Sequence, residues 1–262
     1  MNPAETWKKY WKDKNIKNGR LSDRLSSYQI PVYEALRDIV GKYGSVNILS
    51  AGSGQDIISL NLQRQFKGRL KITVLDISGD VLEWNERLFK AYGQTAGYLK
   101  ADIFNMLLPD DSYDIVFNTG VLEHFSRHSQ VKMTKEIMRV LKPGGFFLTA
   151  NPSAGGKIYR RGMAAAREKN IWHYGEENPI ESLDFLREEI ASVDSVNECH
   201  KDFLSQLGFL PYVNPWYKLI ALPTIYLSRL LYSIHYIPKV YDFLFAKRFG
   251  TYLVISIIRK KR

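Results

Sequence analysis

The chain has 262 residues, 45% of them apolar and 13% aromatic, and a net charge of +10. That is long enough for one large α/β domain with insertions, and the apolar share is that of a well-packed globular protein. The single cysteine, Cys199, excludes an internal disulfide framework and any cysteine-based zinc cluster, and it fits a reducing compartment. No apolar run reaches the length of a membrane-spanning helix, and the opening MNPAETWKKYWKDK lacks a signal-peptide core, so a cytoplasmic protein is expected. The charge is uneven: residues 203–262 hold nine basic side chains against one acid, Asp242, and residues 1–45 hold nine against five. Basic flanks around a balanced middle suit an anionic substrate, a membrane surface or nucleic acid.

Residues 1–45 predict helices placed before the core as a cap. Trp7, Tyr10 and Trp11 recur at helical spacing among Lys8, Lys9 and Lys12, either as a packed face or as a cover over a ligand site. A second helix is expected from Val32 to Tyr43. Residues 46–152 then alternate strand and helix, which predicts a parallel sheet with helices on both faces. The first strand, Val46–Ala51, runs into Gly52-Ser53-Gly54, and Asp56 is placed to cap a helix over 57–66. The glycines allow a sharp turn and close approach of a ligand, and the turn is expected to offer it backbone N–H groups. The next strand, 70–75, ends in Asp76, about 20 residues further on, where a ribose-binding acid belongs. Ile57 occupies the place where a dinucleotide fingerprint needs Gly or Ala, which argues against a pyrophosphate ligand and a nicotinamide dehydrogenase. A helix over 80–92, a short strand over 97–101 ending at Asp102, a strand over 113–118, a helix over 126–141 broken by Pro143-Gly144-Gly145, and a strand over 146–150 complete this part.

Beyond Asn151-Pro152 the pattern weakens. Residues 155–175 show no clear period, 180–191 and 196–207 are expected to be helical, 209–213 a short strand, and 251–258 a β-rich strand. We divide this half into a lid with helices (153–208) and the end of the sheet (209–262). Within the latter, 214–249 is an apolar, basic helical insertion interrupted by Pro215, Pro223 and Pro238. Such a segment buries its surface by packing, by forming a homodimer, by covering an apolar substrate, or by peripheral membrane contact.

Four motifs occur in order: ILSAGSG, VLDIS, KADIFNMLLPDDSYDIVFNTGVLEHF and RVLKPGGFFLTANP. Together they resemble the class I S-adenosylmethionine-dependent methyltransferases, in particular the small-molecule and lipid-quinone branch, over residues 46–152 and the strand at 251–258. The resemblance implies a Rossmann-like, doubly wound, seven-stranded sheet, mostly parallel with an antiparallel last strand. It implies S-adenosyl-L-methionine as methyl donor and S-adenosyl-L-homocysteine as product. Ala51, Gly52, Ser53, Gly54 and Asp56 would lie beside the methionine portion, Asp76 would accept from the ribose hydroxyls, and Ile77 would pack on the adenine. Asp102 would accept from the adenine amino group beside Ile103, and Asn118, Thr119 and Gly120 would line the sulfonium side. The family usually carries an acid at position 50 and a glycine at 56, where this chain has Ser50 and Asp56.

Candidate acid–base residues by type are Glu123, His124 and His173, with Tyr28 and Glu176 behind them. The five histidines are scattered, so no metal site is expected. The implied acceptor is a small or lipid-linked molecule methylated on O, N or C. A nucleic-acid methyltransferase is disfavoured, because strand four ends in Asn118-Thr119-Gly120 rather than in a base-gripping Asn/Asp-Pro-Pro-aromatic motif. A non-catalytic protein that binds the donor is the other alternative.

Overall fold

The computed structural model describes residues 3–172, 174–219, 221–223, 226 and 237–262. Seven strands form one sheet in the order β3-β2-β1-β4-β5-β7-β6. They are β1 (Val46–Ala51), β2 (Leu70–Asp76), β3 (Gly97–Lys100), β4 (Tyr113–Thr119), β5 (Leu141–Pro152), β6 (Val193–Lys201) and β7 (Leu253–Lys260). β1 to β5 pair in parallel, and β7 runs antiparallel between β5 and β6. The helices are α1 (Pro3–Asp13), α2 (Gln29–Val40), α3 (Ile57–Gln65), α4 (Gly79–Ala91), α5 (Arg127–Val140), α6 (Lys157–Glu168), α7 (Leu186–Glu189), α8 (Leu210–Val213) and α9 (Ile237–Phe249).

The central strands are apolar on both faces because helices cover both sides. On one side Ile48, Val74 and Phe117 pack with Leu36 of α2, Leu60 and Leu62 of α3, and Val81, Leu88 and Phe89 of α4. On the other, Leu49, Leu75, Val116 and Phe147 meet Val131, Met133, Ile137 and Met138 of α5. Each such side chain contributes roughly 1.5–3 kcal/mol when fully buried. The parallel strands end together at one edge, and β1's carboxyl end lies between those of β2 and β4. This is where open α/β sheets hold ligands.

The first half follows the sequence pattern closely, and the second half corrects it. Residues 196–207 are not a helix: β6 occupies Val193–Lys201 and a 3-10 turn follows at Leu204–Phe209. β6 is an edge strand whose ladder with β7 overrides its weak local preference, and its Glu198 accepts from the Leu183 N–H (2.8 Å) and the Ser256 hydroxyl (2.9 Å). Residues 180–191 form only the single turn of α7, because Ile180 instead bridges Ser153 at the end of β5. The expected strand at 209–213 is the short helix α8, started by Pro211. Residues 155–175, without visible period, contain α6, whose Tyr159, Met163 and Ala166 face inward.

Candidate active site

A cavity of about 490 Å³ opens at the carboxyl ends of the parallel strands. Gly52, Ser53, Gly54, Asp76, Ile77, Asp102 and Ile103 line it, together with Thr119 and Gly120. Trp7, Tyr10 and Trp11 of α1 line it as well, so the aromatic face of the first helix belongs to the site.

The glycine turn is built for close approach. Gly52 and Gly54 have φ of 72° and 49°, which L side chains rarely adopt. A Cβ on Gly52 would meet Val121 at 3.3 Å and one on Gly54 would meet the Trp11 ring at 3.3 Å. Contrary to the sequence expectation, the turn does not hold its N–H groups out to a ligand. The Gly52 and Ser53 N–H groups donate to the Leu75 carbonyl (2.8 and 3.0 Å), and the Gly54 N–H donates to Asp76 Oδ2 (3.0 Å). These bonds tie the turn to β2. Asp76 Oδ1 also accepts from the Ser78 N–H (2.9 Å). Burial pushes the Asp76 carboxyl above the usual range, and these N–H donors oppose the shift. Asp102, exposed at the end of β3, accepts from the Phe104 N–H (2.9 Å), which sets the Ile103 turn against the cavity.

Three predicted binding residues stand behind the wall instead of in it. Ala51 is buried in the sheet. Asp56, also buried, caps α3 by accepting from the Ser59 N–H (3.0 Å) and donates its own N–H to Asn85 Oδ1 (2.9 Å). Asn118 accepts from the Thr149 hydroxyl (2.6 Å), which in turn accepts from Asn151 Nδ2 (2.9 Å). Asn151 Oδ1 then accepts from the Leu122 N–H (3.2 Å). This buried chain holds the Leu122–His124 turn that carries Glu123 and His124.

Asn85 escaped the sequence analysis. It is fully buried on α4 and grips the glycine turn, with Nδ2 donating to the Gly54 carbonyl at 2.7 Å. The available signal was a polar residue on an apolar face, one turn from both Val81 and Phe89.

The same cavity is lined by Glu123, His124 and Glu177, and Glu123 Oε1 lies 3.4 Å from where a Cβ on Gly120 would stand. Donor atoms of the three all lie within 4.8 Å of one another. They are close enough to enclose one small cation or a shared proton, a grouping the scattered sequence positions did not reveal. His124 Nδ1 pairs with the Glu176 carbonyl (2.9 Å). A carbonyl only accepts, so Nδ1 carries the proton and Nε2, 3.7 Å from Glu123 Oε1, keeps its lone pair. Burial pushes the His124 pKa down, against that hydrogen bond. Glu123 is 2% exposed, and its Oε2 has no hydrogen-bond partner among the described residues. Burial, then the charge of Glu177, push its carboxyl well above the usual range. Glu177 Oε2 accepts from the Tyr159 hydroxyl (2.6 Å), and burial pushes its pKa up to about 7 against that bond and against Arg167. His173 lies outside the described residues, as does much of 214–249. Tyr28 lines the cavity, whereas Glu176 contributes its backbone carbonyl and is not among the lining residues.

Rings form a continuous wall here. Tyr159 lies 5.2 Å from Tyr252 and 6.4 Å from Trp172, Trp172 lies 5.2 Å from Tyr174, and Trp7 lies 4.9 Å from His124. Tyr159, Trp172 and Glu177 were not predicted as site residues, because α6 and the loop after it were not recognised; Tyr252, at the start of the expected last strand, was not predicted either.

The strand order, the antiparallel β7 and the cavity at the strand ends define the class I S-adenosylmethionine-dependent methyltransferase fold. Residues 49–149 match the methyltransferase domain family. It is 31% identical over 130 residues to the fatty-acid O-methyltransferase of Mycolicibacterium smegmatis, covering 48% of this chain and 44% of that protein. It is 22% identical over 172 residues to phosphoethanolamine N-methyltransferase 1 of Triticum aestivum, covering 65% of this chain and 33% of that one. The chain thus spans less than half the length of these curated relatives. Among solved structures, geranyl diphosphate C-methyltransferase from Streptomyces coelicolor A3(2), complexed with S-adenosyl-L-homocysteine, superposes with a TM-score of 0.56. The match has 14% identity and covers 88% of this chain and 76% of that one.

Proposed function

We propose that this chain transfers a methyl group from S-adenosylmethionine to a small acceptor held beside Glu123, His124 and Glu177 in the cavity. The observation that carries this is one continuous cavity lined both by Asp76, Ile77, Asp102 and Ile103 and by the acid–base groups Glu123, His124 and Glu177. In this reading the acceptor-only Asp76 carboxylate takes the ribose hydroxyls, Ile77 and Ile103 flank the adenine, and Gly52 lets the donor approach the backbone. S-adenosylmethionine, when bound, supplies a methyl group on a positively charged sulfur. The protein aligns the acceptor, excludes water with the rings of α1, and takes a proton on His124 Nε2 or Glu123 where the acceptor must lose one. Residues 46–152 then form the donor-binding part, with 1–45 and 153–208 enclosing the acceptor.

Calorimetric titration with S-adenosylmethionine and S-adenosylhomocysteine tests this, with Asp76→Asn alongside. Asp76→Ala is the poorer variant, because it would strand the Gly54 and Ser78 N–H groups. Loss of a charged acceptor is expected to weaken binding about 10- to 100-fold. Absence of binding to the wild type would sink the proposal.

A peripheral membrane contact is supported by one observation. Trp216, Leu219 and Tyr226 are 76%, 73% and 67% exposed, Phe243 of α9 is 83% exposed, and Lys247 and Arg248 lie in the last turn of α9. Among the described residues no helix is long and apolar enough to cross a membrane. Flotation with anionic vesicles, weakened by Phe243→Ser, is the expected result. Sedimentation as a dimer that hides the same residues would replace it.

A further inference from the structure

We propose that the acceptor is an amine, bound as its ammonium between the carboxyl groups of Glu123 and Glu177 inside the ring wall. This rests on the methyltransferase reading and names its substrate class.

Charge comes first. Two carboxyl groups share this part of the cavity, and the Glu177 charge acts directly on Glu123. Arg24 is the one Lys or Arg side chain among the described lining residues, and it is not among the charges that act on either glutamate. Arg167 touches Glu177 through the backbone carbonyl (3.0 Å) and offsets only that member of the pair. Burial favours the neutral form of His124 against its Nδ1 hydrogen bond, so it adds no fixed positive charge. An anionic acceptor placed here would meet two acids with no cation to receive it. An ammonium would meet Glu123 Oε2, Glu177 and His124 Nε2, and its charge would favour the ionised, acceptor-only carboxylates over the protonated forms that burial favours. Glu123 Oε2 is the informative atom, because a side chain buried this deeply seldom leaves an oxygen without a donor.

The walls agree with the charge. Trp7, Tyr28, Tyr159, Trp172, Tyr174 and Tyr252 line the same space. Ring faces attract cations, and several rings around a desolvated site form a cage for alkylated ammonium groups. The cage keeps its attraction after transfer, since an N-methylated ammonium is still a cation.

The chemistry balances. The ammonium gives one proton to a carboxylate or to His124 Nε2, which frees the nitrogen lone pair. That lone pair forms the new N–CH3 bond as the S–CH3 bond of the donor breaks, and the electron pair of that bond leaves on sulfur. The product is the methylated ammonium and S-adenosylhomocysteine.

The test is calorimetric titration of the protein saturated with S-adenosylhomocysteine, using hexylamine, hexanol and hexanoate, which share a chain and differ in head group. Hexylammonium is expected to bind about tenfold more tightly than hexanol, with hexanoate weakest. Glu123→Gln and Glu177→Gln each reduce that preference to less than about threefold, and their titration with S-adenosylhomocysteine shows that they remain folded. Vesicles of phosphatidylcholine with and without phosphatidylethanolamine separate two sources of the amine. Extra co-sedimentation with the aminolipid assigns it to a headgroup, and equal co-sedimentation assigns it to a soluble molecule. Equal binding of the three probes, preference for hexanoate, or no binding of hexylammonium overturns the amine and leaves the methyltransferase reading standing. Failure of S-adenosylhomocysteine to bind the wild type overturns both. Zinc binding that displaces hexylammonium and is lost in Glu177→Gln reassigns the cluster to a metal and overturns the amine.

Discussion

Glu177 should leave a readable mark on the pH dependence of stability. In the folded chain its carboxyl titrates near pH 7, against an ordinary value of 4.5, because burial outweighs the Tyr159 hydrogen bond and Arg167. Between these values the folded protein holds a proton that the unfolded chain has already released. Stability therefore falls as pH rises through that window, by roughly 3 kcal/mol at 1.36 kcal/mol per pH unit. Glu177→Gln keeps an oxygen for the Tyr159 hydroxyl and cannot ionise. The variant should match the wild type near pH 4.5 and gain about 3 kcal/mol on it by about pH 8. It also removes the charge that raises Glu123, so part of the gain is shared between the two sites. Urea denaturation at a series of pH values reads the difference directly. Two curves that stay parallel from acid to neutral pH would refute the burial argument.

Two further outcomes concern residues that do not line the cavity. Asn85→Ala removes the partner of the Asp56 N–H and the Gly54 carbonyl, so it should cost about 2–4 kcal/mol and also weaken S-adenosylhomocysteine binding. Thermal melts and calorimetry on the same sample check both, and unchanged affinity would mean that the glycine turn holds itself. Gly162→Ala places a Cβ 2.6 Å from both the Cβ and the carbonyl oxygen of Phe209. Overpacking against backbone should cost about 2 kcal/mol, a drop of roughly 5 °C in melting temperature. A melting temperature equal to wild type would contradict the closeness of α6 to Phe209.

The part of the cavity lined by the glycine turn and Asp76 was legible because its determinants are local. Glycines at a strand end and an acid at the end of the next strand lie in consecutive elements, and β1, β2 and β4 carry mostly apolar runs. The cluster of Glu123, His124 and Glu177 was not legible, because Glu123 and Glu177 meet across 54 positions of chain and nothing near either announces the other. α6 was hidden by Arg160-Arg161-Gly162, which looks like a loop. Gly162 is a packing glycine facing Phe209, and Tyr159, Met163 and Ala166 repeat at helical spacing around it. β6 was hidden for the opposite reason: VDSVNECHK has little apolar alternation, and its state is set by the ladder to β7.

The first helix covers Gly54 with Trp11 and reaches His124 with Trp7. One rigid turn of α1 thus forms part of the ceiling over both groups of lining residues. Two molecules that share a ceiling share its opening. If the chain acts as proposed and α1 must lift for exchange, spent donor and methylated product would escape during the same excursion, and turnover would be timed by that excursion instead of by the bond exchange. Either molecule, by holding α1 down, would then also slow departure of the other, and the second to arrive would find part of the ordering of α1 already done.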